Sequence, residues 1–243
     1  MTYGPLPATA AAGGGRITIP SGRGSGRRDV FALASLLLDY PDDDLCASRD
    51  RIGEAIASLP RSLASADLRE FWAWFCTADP SQLRVEYVKT FDHRRRAALY
   101  ATFAPYGDTR RRGVALAKLR DAYHRAGFVE RDGELPDYLP VVLQFAALAG
   151  DDAADDVLCQ ARGGIESVTK ALDAQKSPYA AVMRAVERCL PAPRQSIDPA
   201  GIGLEFGIAN LESTVNHAFV STAAGDGCDA ESFAVDPRLE VPA

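Results

Sequence analysis

Nothing in this sequence approaches the roughly eighteen consecutive apolar residues that a membrane-crossing helix needs. The apolar run at 30–38 is nine residues long and ends in the acidic block Asp39-Tyr40-Pro41-Asp42-Asp43-Asp44. Cysteine is sparse: Cys46, Cys76, Cys159, Cys189 and Cys228 are odd in number and at least thirty residues apart, which excludes a disulfide framework and a CxxC metal knuckle. They are expected to be small buried hydrophobes in a reducing compartment. The histidines His93, His124 and His217 stand in no HExxH spacing and near no cysteine, so surface or capping positions are expected for them. No P-loop lysine and no GxSxG turn occurs, and the glycines at 201–207 follow a proline-broken loop instead of a strand. Period-two alternation is nearly missing before residue 190. Catalysis is not expected.

What is present is helical periodicity and unevenly placed charge. At 243 residues and 47% hydrophobic, the chain is long enough to bury one sizeable core. Its net charge of -6 hides a basic segment, 84–131, with twelve Lys or Arg against five acids, a local +7 that leaves about -13 elsewhere. The sharpest points are the triplets Arg94-Arg95-Arg96 and Arg110-Arg111-Arg112. Such runs are read either as a solvated helical face or as a contact for phosphate groups or nucleic acid.

The stretch RRDVFALASLLL at 27–38 carries the parts of a twin-arginine export signal, but no small-residue cleavage site follows it. Phe31, Ala34 and Leu38 recur at spacings of three and four, as do Leu33 and Leu37, which predicts a helix buried on most of its sides. A cytoplasmic protein is expected. Residues 1–26, rich in glycine and proline, are expected to form a disordered arm, 27–190 one helical domain, and 191–243 a mostly irregular tail, with one turn or a short strand at 215–220.

Within the domain the apolar spacing predicts a helix over 43–59 ended by Pro60, and an aromatic one through Leu68, Phe71, Trp72 and Phe75. Asp79-Pro80 with Gln82 reads as a capping box opening the next helix. A further helix starts after Gly107 with Asp108 or Thr109 as cap and ends at Gly127, suited to a left-handed position. Downstream, Gly163-Gly164 reads as a break, and Ser177 as an N-cap before Pro178.

The segment ELPDYLPVVLQF at 134–145 has two prolines four apart. With Asp137 as N-cap, Pro140 falls at the third helical position, where no intrahelical N–H bond is lost. Asp137 and Gln144 then project on one side, joined by Glu134 at the helix mouth, beside an apolar wall. The reading is an acidic rim able to hold a basic amphipathic peptide, against an ordinary capped helix.

The residues Leu37-Leu38-Asp39-Tyr40-Pro41-Asp42, Tyr87-Val88-Lys89-Thr90-Phe91-Asp92-His93, Leu99-Tyr100, Tyr106-Gly107-Asp108-Thr109-Arg110 and ELPDYLPVVLQF together resemble the NarJ family of nitrate reductase assembly chaperones, related more distantly to the TorD and DmsD type. The resemblance implies an all-α helical bundle without enzymatic activity. It implies binding of the N-terminal tail of the nitrate reductase catalytic subunit, with no cofactor held permanently. The chaperone would assist insertion of the molybdopterin guanine dinucleotide cofactor into that client before membrane docking. Proteins of molybdenum cofactor biosynthesis would be further partners; nucleic acid and membrane insertion are not expected. The peptide-binding residues it points to are Glu134, Pro136, Asp137, Tyr138, Pro140 and Gln144. Phe91, Asp92, Asp108, Arg110 and Arg112 would serve cofactor handover or the scaffold. Gln144 stands where the family usually has glutamate, which removes one negative charge from the rim. The alternatives are a chaperone for another molybdenum oxidoreductase, or a nucleic-acid-binding or regulatory bundle using the two arginine triplets.

Overall fold

The computed structural model describes residues 26–92, 97–128 and 134–193. All of them lie in the first of two units, Met1–Arg194 and Gln195–Ala243. The expected arm before residue 26, the triplet Arg94-Arg95-Arg96, His93, and the tail from 194 with His217, Cys228 and the 215–220 segment lie outside the described residues.

Among the described residues there are ten helices: α1 Gly26–Leu37, α2 Asp43–Ala47, α3 Arg49–Ser58, α4 Leu63–Thr77, α5 Pro80–Phe91, α6 Phe103–Tyr106, α7 Arg110–Arg125, α8 Leu139–Leu148, α9 Asp151–Ala174 and α10 Tyr179–Arg188. Extended pairing is limited to one antiparallel bridge, Tyr100 with Tyr138. The expected all-α bundle is what forms.

The start of α5 follows its sequence signal. Asp79 accepts from the N–H groups of Ser81 at 2.9 Å and Gln82 at 3.0 Å, Gln82 Oε1 accepts from Asp79 N–H, and Pro80 occupies the first turn. At the end of α7, Gly127 takes φ +83°, a conformation a side chain would resist. Elsewhere the expectations need correction. The single helix expected over 43–59 is two: Asp42 caps α2 through Leu45 N–H at 2.8 Å, and Ser48 N–H closes that turn onto Asp44 and Leu45 before α3 begins. Ser177 does not cap α10; its hydroxyl lies 3.5 Å from that of Thr90 and Pro178 precedes the first turn.

Gly163-Gly164 do not break α9, which runs straight through both. Gly164 is there for proximity: a Cβ built on it would sit 1.9 Å from the Ala101 carbonyl oxygen. The helix backbone lies directly against the 99–102 segment, an approach only glycine permits.

Helix α1 is the centre of the core. Val30, Phe31, Leu33, Ala34, Leu36 and Leu37 are all buried, as is Ser35, whose hydroxyl donates to Pro140 O at 2.7 Å. It packs chiefly on α8, with α10 and α4 beside it, and α9 closes over α8 and α10. A second focus is aromatic: Tyr179 of α10 meets Phe71 (5.1 Å between ring centroids), Phe91 (4.9 Å) and the edge of Tyr87 (5.9 Å). Each such side chain contributes roughly 1.5–3 kcal/mol by burial. The ion pairs outside, Arg184 with Asp173 at 2.8 Å and Glu70 at 3.0 Å, contribute about 0–1 kcal/mol each, while Arg188 meets the buried Asp67 at 2.6 Å. Apolar packing therefore sets the arrangement, and the ions select which faces meet.

The arginine pair at the start of α1 is part of this scaffold. Arg27 pairs with Asp155 and donates to Cys189 O at 2.9 Å, and Arg28 pairs with Asp151 at 2.9 Å, tying α1 to the first turns of α9. The cysteines depart from expectation: Cys46, Cys159 and Cys189 are half-buried and Cys76 is exposed, all four as free thiols.

Candidate functional site

Two concave regions stand out. The larger, about 870 Å³, lies at the N-terminal ends of α1 and α4 and is lined by Arg27, Val30, Leu59, Leu63, Arg188 and Leu190 among others. Its charged lining residues among those described are Arg27 and Arg188, whose guanidinium groups are paired with Asp155 and Asp67. The smaller, about 360 Å³, opens between the C-terminal part of α5, residues 98–100 and the segment leading into α8.

The walls of this smaller cleft are aromatic and its rim is acidic. Tyr87, Phe91, Leu99, Tyr100, Leu135 and Tyr138 line it together with Asp92 and Glu134. Tyr138 and Tyr100 lie with centroids 5.6 Å apart, the Tyr87 and Tyr138 hydroxyls are 3.4 Å apart, and Tyr40 stands edge-on to Tyr87 at 5.5 Å. Tyr87 also donates to Leu38 O at 3.2 Å. Burial, then the neighbouring tyrosine, pushes the Tyr87 phenol well above its ordinary value; burial and the charge of Asp39 do the same to Tyr138. Both hydroxyls therefore stay protonated as donors. Tyr40, Tyr100 and Leu135 expose a third or more of their surface, so the apolar wall continues out to solvent.

Asp39, between α1 and α2, is brought beside this rim. Burial pushes its carboxyl up to about 6, the charges of Glu134 and Asp42 add to the shift, and a 2.8 Å bond from Tyr40 N–H opposes it. Two half-buried carboxylates whose charges act on each other favour a cation near them. Asp39 was not anticipated as a site residue, although it falls in the Leu37–Asp42 stretch that carries the family resemblance. Tyr87, Leu99 and Tyr100 likewise lie in the stretches that carry the resemblance.

Asp137 is not on the rim. It is completely buried, and the N-cap position of α8 belongs to Tyr138, so Pro140 is the second helical residue. The N–H of Pro140's position is dispensable either way. Asp137 Oδ2 accepts from Thr102 N–H at 3.2 Å, from the Thr102 hydroxyl and from Arg112 Nη2 at 3.4 Å. Its main chain pairs as well, Ala101 N–H donating to Asp137 O and Leu139 N–H to Leu99 O, both at 2.8 Å. A carboxylate here locks the cleft's wall from behind instead of facing a ligand.

The remaining expected residues divide. Glu134 and Tyr138 line the cleft, Pro136 and Pro140 are buried beneath it, and Gln144 is half-buried on α8 and is not a lining residue. Pro136 O accepts from the buried Tyr123 hydroxyl at 2.7 Å, which fixes the Glu134–Pro136 turn. Phe91 and Asp92 belong to the cleft. Arg112 is turned inward between Asp137 and Asp108, the latter 3.7 Å away, so Arg110, Arg111 and Arg112 do not form one outward patch. Among the described residues no group of His, Cys, Asp and Glu could hold a metal ion, and no helix is long and apolar enough to cross a membrane.

The helical fold matches that of a solved structure from Archaeoglobus fulgidus described as a redox enzyme maturation protein, with a TM-score of 0.50 and 24% identity over 68% of this chain and 94% of that one. Residues 53–185 match the model of the family described as nitrate reductase delta subunit. NarJ of Bacillus subtilis, described as a nitrate reductase molybdenum cofactor assembly chaperone, is 30% identical over 176 residues, covering 72% of this chain and 96% of that protein. NarJ of Escherichia coli, an assembly chaperone of the same description, is 31% identical over 62% of this chain and 64% of its own. The nitrate reductase-like protein NarX of Mycobacterium tuberculosis is 35% identical over 65% of this chain, which spans only 24% of NarX. The chain belongs to the NarJ family of nitrate reductase assembly chaperones, and the NarJ relatives are named as assembly chaperones, not as enzymes.

Proposed function

We propose that this protein is the cytoplasmic chaperone of a respiratory nitrate reductase. In this reading it binds the N-terminal tail of the catalytic subunit and supports insertion of the molybdopterin guanine dinucleotide cofactor before membrane docking. The observation that carries the reading is the aromatic cleft lined by Asp92 and Glu134, with the charge of Asp39 interacting with that of Glu134. A basic amphipathic helix or turn lays apolar side chains against Tyr100, Leu135 and Tyr138 and presents a lysine or arginine to Asp39 and Glu134. Apolar contact supplies most of the affinity, and charge, screened by salt, most of the selectivity.

The proposed site thus keeps Glu134 and Tyr138, with Pro136 and Pro140 shaping the segment from below, and moves Asp137 from contact to support. Arg110 on α7 remains the residue for contact with the cofactor's phosphates or with cofactor-synthesis proteins during handover. Charge reversal at half-buried Glu134 tests the binding role. Calorimetry with a synthetic peptide of the client's N-terminus should show Glu134→Arg binding about tenfold more weakly, in line with loss of one charged contact. Unchanged affinity contradicts this cleft.

A further inference from the structure

The 99–103 turn, which supplies Leu99 and Tyr100 to the cleft, belongs to no long helix, yet it is held from three sides. From α8's approach, Asp137 takes the Thr102 amide and hydroxyl, and the backbone exchanges the two 2.8 Å bonds that flank the Tyr100 and Tyr138 bridge. From beneath, α9 presses the bare face of Gly164 on Ala101. From α7, Arg112 reaches in: Nε donates to the Thr102 hydroxyl at 3.2 Å, Nη2 meets Asp137, and the guanidinium lies 5.9 Å from the Tyr100 ring centre and 5.6 Å from that of Phe103.

Arg112 is the one side chain in this set that touches the turn's backbone lock and its exposed aromatic together. The guanidinium fixes a planar fork on the Asp137 and Thr102 oxygens while its face steadies the Tyr100 ring. Among the described residues Asp137 pairs with no other cation, and its Oδ1 makes no hydrogen bond. Arg112 is thus the described cation that balances this carboxylate, together with the Thr102 donors.

We propose that Arg112, acting through Asp137 and Thr102, is a positioning residue for client recognition: it holds Tyr100 in the orientation that forms the cleft's outer wall. The inference rests on the cleft being the client-binding site. It also assigns the inward arginine of the basic triplet a role unrelated to phosphate.

The test is a double-mutant cycle on peptide affinity in the full chain, using the client's N-terminal peptide and the variants Tyr100→Ala, Arg112→Gln and both together. Thr102→Val, which removes only the shared hydroxyl, serves as a milder probe should Arg112→Gln fold poorly. Tyr100→Ala and Arg112→Gln are each expected to weaken binding about tenfold, with the double variant no weaker than the worse single one, since a wall already removed cannot be mispositioned. Amide exchange at Ala101 and Leu139 should accelerate in Arg112→Gln while exchange in α1 does not. A loss that multiplies in the double variant overturns the inference, as does normal affinity in Arg112→Gln or, if that variant is unusable, in Thr102→Val. Normal affinity in Tyr100→Ala overturns the cleft as the binding site, and this inference with it.

Discussion

Two adjacent glycines in α9 should respond oppositely to alanine. At Gly164 the added Cβ would meet the Ala101 carbonyl at 1.9 Å against an ordinary contact of 3.4 Å or more, so one backbone must retreat by about 1.5 Å. Overpacking of this kind costs about 1–3 kcal/mol. The retreat also pulls on two backbone bonds, Ala101 N–H to Asp137 O and Leu139 N–H to Leu99 O, worth about 1 kcal/mol each. Alanine's helix preference returns about 1 kcal/mol. Gly164→Ala should thus lose about 2–4 kcal/mol in urea unfolding. Gly163 is exposed and has open space where its Cβ would go, so Gly163→Ala should gain up to about 1 kcal/mol in the same assay. A Gly164→Ala protein as stable as the parent would refute the close approach of α9 to the 99–102 segment. A Gly163→Ala protein that lost as much would refute the assignment of cost to contact.

Other consequences are as direct. Asp39 carries a folded value near 6 against an ordinary 3.8, so the folded state binds the extra proton. Its contribution to stability is complete below about pH 4 and is lost as pH rises through about 6. Asp39→Asn, which keeps the acceptor for Tyr40 N–H, should raise the urea midpoint at pH 7.5 and flatten its change between pH 4 and 6; identical curves would count against burial of this carboxyl beside Glu134. Tyr123→Phe removes the buried donor to Pro136 O and should cost about 1–2 kcal/mol, visible as a lower midpoint with the slope unchanged. An unaffected midpoint would mean the Glu134–Pro136 turn is held by something else.

Much of the helical framework is legible in the sequence because its causes are local. The Asp79-Pro80-Gln82 start, the positive φ at Gly127 and the buried stripe of α1 depend on neighbours within a few residues, and each forms as its chemistry requires. Where the cause lies far along the chain, the local signal misleads. The Gly163-Gly164 pair has the composition of a break, but the reason for Gly164 is a backbone far earlier in the chain, at Ala101. Asp137 has the side chain and the spacing of an N-cap, and only the approach of Thr102 and Arg112 turns it into a buried acceptor.

The site shows the same division. Glu134 was expected from its place before the prolines, whereas Asp39 reaches the rim because the end of α1 packs beneath the start of α8, which no spacing within either segment encodes. The basic triplet at 110–112 is uniform as text and divided in space, with Arg112 inward.

The central claim is that the client's N-terminal tail occupies the tyrosine-walled cleft and not the larger arginine-flanked cavity. Photocrosslinking decides it most directly: a photoreactive residue is placed in turn at exposed Leu135 and at exposed Leu63, and the protein is irradiated with the client's N-terminal peptide. Efficient crosslinking is expected from position 135, suppressed by excess unlabelled peptide, with background levels from position 63. Crosslinking from position 63 with none from 135 would contradict it.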